Sequence, residues 1–126
     1  MKNILITMVA ASIFSAVANA QKLSHGALCK KWYLEKYEVM WVDYEPEEKE
    51  KNDYILLNKN MSYQAVSEGE FSEGKWSFND EENYFILYDE NNEGLKFIVE
   101  TLKKDRLVVV IDIKELKDID IHYINK

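Results

Sequence analysis

From residue 28 onward, apolar side chains recur at every second position, and no stretch carries the three-to-four-residue stripe of an amphipathic helix. That alternation suits strands, whose side chains point to opposite faces in turn, so the chain is constrained to an all-β fold. The longest run is 28–42, where Leu28, Trp32, Leu34, Met40 and Val42 share one face and Tyr33, Tyr37, Val39 and Trp41 the other. Lys30, Lys36 and Glu38 interrupt this pattern, which predicts a bend or bulge within the run.

Further strands are expected at 54–58 and 61–67, joined across Asn58-Lys59-Asn60, whose residues tolerate left-handed backbone. A second hairpin pairs 75–79 with 83–89 across Asp80-Glu81-Glu82. Asn91-Asn92-Glu93-Gly94 turns the chain into 95–102, and Lys103-Lys104-Asp105 turns it again into 106–113. The Val108-Val109-Val110-Ile111 stretch is apolar on both faces, which predicts a strand covered on both sides. The last strand, 118–124, alternates Ile119, Ile121 and Tyr123 with Asp118, Asp120 and His122. Helix is confined to single turns, at 21–27 or 114–117, and the lone proline, Pro46, falls outside every strand. Short links favour antiparallel neighbours. The expected architecture is therefore an eight-stranded antiparallel up-and-down meander closed into a barrel, with an open sandwich as the alternative.

The first 20 residues read as a cleaved signal peptide. Lys2 supplies positive charge, 4–17 is almost wholly apolar, and Ala18-Asn19-Ala20 sets small residues at the cleavage point. The run is short for a bilayer span and no stop-transfer pattern follows, so no integral membrane segment is expected after cleavage. Leu28 before Cys29 does not suit lipid attachment. The expectation is an exported protein, in the periplasm, on the outer surface or secreted, with 21–126 forming a single domain.

Removing the leader takes one lysine from 16 basic residues and leaves 23 acidic ones, so the mature charge is 15 − 23 = −8. Arg106 is the only arginine. Nucleic acid is therefore not an expected partner, because neutralising phosphates needs clustered lysine and arginine. A single cysteine, Cys29, rules out an internal disulfide and reads as a small buried hydrophobe in a strand.

Several segments carry a resemblance. Leu28-Cys29-Lys30-Lys31-Trp32-Tyr33-Leu34, Tyr54-Ile55-Leu56-Leu57-Asn58 with Met61-Ser62-Tyr63, Gly74-Lys75-Trp76-Ser77-Phe78, and Phe97-Ile98-Val99-Glu100-Thr101-Leu102 before Arg106-Leu107-Val108-Val109 resemble the lipocalin-like domains of exported bacterial proteins. The chain departs from that pattern at Lys30, where a glycine is common, and at Asn58-Lys59-Asn60, where an Asp-Gly turn is common. The resemblance implies a small calycin-type barrel and transfers no catalytic residues.

Trp32, Trp76, Phe78 and Phe97 are expected in the structural core, the two tryptophans closing the barrel base. Trp41, Tyr37 and Tyr54 are the candidate ligand-binding residues at the mouth. Of the 16 aromatic residues only Phe14 lies in the leader, and the remaining fifteen either fill the barrel or surround a cavity. Segment 43–53, with six acidic residues and two lysines, reads as a solvated loop; its carboxylate spacing matches no EF-hand. Asp118, Asp120 and His122 would share one side of a strand, facing water if Ile119, Ile121 and Tyr123 face the core. No Gly-x-Ser-x-Gly elbow, phosphate loop or His-Glu-x-x-His is present, so neither an enzyme, a metal nor a cofactor is expected. Two functions follow: a binder of a small apolar or amphipathic molecule in the barrel mouth, or an envelope interaction or inhibitor-like module with a packed barrel and a protein partner.

Overall fold

A computed structural model describes residues 22–126. The expected leader, 1–20, lies outside the described residues. A short helix, α1 (His25–Leu28), precedes nine strands: β1 (Lys31–Val39), β2 (Val42–Tyr44), β3 (Tyr54–Leu57), β4 (Ser62–Ser67), β5 (Glu70–Asn79), β6 (Tyr84–Tyr88), β7 (Gly94–Leu102), β8 (Arg106–Ile111) and β9 (Ile119–Ile124). Single 3-10 turns lie at Glu48–Glu50 and Lys114–Leu116. Strands β3 to β9 pair in chain order, all antiparallel, and β9 returns to β1 over Tyr33–Val39. The fold is thus a closed eight-stranded antiparallel meander barrel with one extra strand, β2. No helix among the described residues is long and apolar enough to cross a membrane.

The expected first strand, 28–42, divides into three pieces. Leu28 belongs to α1, whose N-terminus is capped by Ser24 Oγ accepting the Ala27 N–H at 3.2 Å. At the far end, Met40 and Trp41 both take positive φ, 50° and 65°, and reverse the chain tightly into β2. The predicted irregularity sits between Leu34 and Lys36, where the register with β9 shifts. It inverts the alternation. Trp32 and Leu34 point inward before it, whereas Tyr37 and Val39, opposite Ile121 and Ile119, point inward after it.

β5 begins at Glu70 rather than residue 75, because Glu68 and Gly69, both at positive φ, form a tight hairpin from β4. The strand was obscured because its first half lacks apolar alternation: Ser72 faces the interior and Phe71 faces solvent. Val108 and Val110 are buried as expected, but not beneath a second layer. They lie on the outer wall of a single sheet, shielded by cross-strand neighbours such as His122 and Ile98.

One end of the barrel is sealed. Trp32 Nε1 donates to the Leu28 carbonyl at 3.0 Å, tying β1 to α1, and Trp76 Nε1 donates to the Asn58 carbonyl at 3.0 Å. Burying both indoles therefore leaves neither N–H unsatisfied. His25 stacks on Trp76 at 5.8 Å between ring centroids, with half-buried Phe78 alongside. Above this layer Phe85 and Phe97 stack at 4.9 Å, and Leu57, Leu107 and Val109 fill the remaining space.

Candidate functional site

The opposite half of the barrel is hollow. A cavity of about 490 Å³ opens at the end where β3, β5, β7 and β9 begin and β4, β6 and β8 finish. That size falls within the range of small-molecule sites. Its floor and walls are apolar and aromatic: Ile55, Tyr63, Ala65, Leu87, Leu95, Phe97, Ile111 and Tyr123. The space arises from small inward residues, since Ala65 is opposite Ser72 on β5; nearer the packed end Tyr63 is opposite Gly74. A Cβ on Gly74 would collide with the Tyr88 main-chain oxygen and lie 3.0 Å from Tyr63 Cε1, so only glycine lets that ring lie close to β5.

Polar groups ring the upper cavity. Ser67 and Ser72 contribute to the lining, with Asp53, Asp89 and Glu93 as its charged groups. Asp89 Oδ1 accepts the N–H groups of Asn91 and Glu93, both at 2.9 Å, and so builds the β6–β7 turn. Asp53 is the one buried charged residue among the described residues, at 8% exposure. Its Oδ1 accepts the Glu68 N–H at 2.9 Å. Burial pushes the Asp53 carboxyl above the usual range, a shift the Glu68 hydrogen bond partly opposes. Burial, then the charge of Asp89, pushes the Tyr63 hydroxyl upward; burial, then Asp53, does so at Tyr123.

The wall beside Asp53 has an unusual construction. One edge of β1 carries β3 at Lys31–Tyr33 and β2 at Tyr37–Val39. Residues 45–53 run from β2 back to β3, and the Asp53 carbonyl accepts the Leu34 N–H at 3.0 Å. Within this segment Glu50 caps its own 3-10 turn through the Glu47 N–H and accepts the hydroxyl of Tyr37. Segment 43–53 is thus not uniformly solvated: Glu50 and Asp53 are anchored against the barrel.

Of the three mouth candidates, none offers its side chain to the cavity. Tyr54 borders it, but strand parity puts its ring outside with Tyr33, beneath the Lys31 ammonium 4.1 Å from the centroid. Tyr37 points inward yet packs against Glu50 and the core rather than lining the space. Trp41 stands on the β1–β2 turn, 89% exposed, and is not a lining residue. Trp32, Trp76 and Phe97 are buried and Phe78 is half-buried, with Phe97 also forming cavity floor. Asp53, Tyr63 and Tyr123 are the residues sequence reasoning missed. Counting back from Ile55 and Leu57 by twos reaches Asp53, a signal hidden by its acidic neighbours.

Cys29 lies just beyond α1, not in a strand, and burial pushes its thiol upward. Asp120 and His122 are on the outer wall, but His122 is packed rather than solvated and lies 3.0 Å from Glu38 Oε1. Among the described residues, no three His, Cys, Asp or Glu side chains are grouped to hold a metal. No family model, curated protein or solved structure matches the chain.

Proposed function

We propose that this is an exported binding protein that takes a small apolar or amphipathic molecule into the open half of its barrel. The observation supporting the reading is the cavity of about 490 Å³, closed at one end by aromatic packing and open at the other. Transfer of an apolar ring from water to such walls is favourable by about 25 cal/mol per Å² covered, and a preformed site avoids much of the ordering cost. The resemblance to lipocalin-like domains and the leader expected at 1–20 support the same reading and favour a place outside the cytoplasm.

The test is isothermal titration of residues 21–126 with 2-(2-naphthyl)ethanol, an uncharged two-ring probe. Saturable one-to-one binding is expected, together with its loss in Ala65→Leu and Ser72→Leu, which place branched side chains into the space. Equal binding by the filled variants would place the probe elsewhere and overturn the reading.

A further inference from the structure

The hollow half of the barrel is apolar below and one-signed above. Among the described residues its charged lining is Asp53, Asp89 and Glu93, with no lysine, arginine or histidine. The rim cation Lys49 is held by Glu47 and Glu68, each at 3.5 Å. Asp53 is more than nine-tenths buried, and the sole hydrogen bond of its side chain among the described residues is the one from Glu68 N–H to Oδ1. Its second oxygen has no partner there, yet it is not sealed away from solvent-sized space. That oxygen is left to water in the cavity, where a charged donor on an entering molecule would meet it.

From this we infer that the molecule taken into the barrel is an organic cation: a protonated amine or quaternary ammonium carrying an apolar body, with Asp53 as its counter-charge. This rests on the proposed binding function and specifies its ligand class. The aromatic walls fit the same chemistry, since Tyr63, Phe97 and Tyr123 line the space and an aromatic face attracts a cation as well as an apolar ring. A bare metal ion fits less well, because the three carboxylates are dispersed around a wide mouth rather than grouped for coordination. A carboxylate or phosphate ligand would meet three like charges.

The experiment is titration with a matched set: 2-(2-naphthyl)ethylamine, 2-(2-naphthyl)ethanol and 2-naphthylacetate, near neutral pH at moderate salt. The amine is expected to bind about tenfold more tightly than the alcohol, the worth of one charge-assisted hydrogen bond, and the acid not measurably. Asp53→Asn keeps an oxygen to accept the Glu68 N–H, and it should remove most of the amine's advantage over the alcohol. Glu93→Gln, on the exposed rim, should reduce the amine's advantage without removing it. Equal affinity of amine and alcohol in the unaltered protein would overturn the cation inference while sparing the cavity reading. An amine advantage undiminished in Asp53→Asn would overturn the assignment of Asp53. Failure of all three probes to bind would overturn both readings.

Discussion

A Cβ placed on Gly74 meets two neighbours at once, the carbonyl oxygen of Tyr88 and the ring of Tyr63, and the first cannot move without disturbing β6. Gly74→Ala is therefore expected to destabilise the barrel by about 3 kcal/mol, the upper end for overpacking, measured by urea unfolding. Unchanged stability would mean that the β5 backbone shifts freely, which its pairing with both β4 and β6 opposes. Gly74 belongs to the Gly-x-Trp stretch, so its presence was legible in the sequence; its reason was not, because the clash is with residues eleven and fourteen positions away. Asp53 poses the same problem. It closes a run rich in charged residues, 43–53, and only the register of β3 turns it inward.

Two strands carry a one-residue irregularity, near Glu35 in β1 and near Glu100 in β7, and each inverts which residues face the core. In β7, Phe97 and Val99 face inward before the shift and Leu102 after it. The extra residue leaves Glu100 on the outer wall beside Asp120, and the hydrogen bond between the two carboxyls, with burial and the charges of Asp120 and Glu38, pushes Glu100 up to about 7. The unfolded value is near 4.5, so between there and about 7 the folded chain retains a proton that the unfolded chain has released. Stability from this pair is fully present below that window and is lost as pH rises through it. Thermal melts across the window should show the melting temperature falling with rising pH. Glu100→Gln should flatten part of that fall and raise the melting temperature at neutral pH; an unaltered slope would show that the pair does not share its proton. The strand pattern predicted a bulge in the first strand, but neither its position nor the second bulge could be read, since a parity change is defined only against a paired neighbour.

At the scale of the whole molecule, the barrel divides into a packed end and a hollow end. Leu28, fully buried beside Trp32, belongs to the packed end and is distant in the fold from the cavity lining. Leu28→Ala should cost about 3 kcal/mol in unfolding free energy and leave the affinity for 2-(2-naphthyl)ethanol unchanged, provided binding is measured where the variant remains folded. A parallel loss of affinity would mean that the two ends do not behave separately. Alternation and short turns determined the antiparallel meander by themselves, because side-chain direction and connection length are local properties of the chain. Composition likewise determined that fifteen aromatic rings had to be accommodated beyond residue 20. Tertiary structure decided where those rings pack and where they leave space, since that depends on which side chains meet across the barrel. Small residues at Ala65 and Ser72 open one half, and Leu28, Trp32, Trp76 and Phe85 close the other.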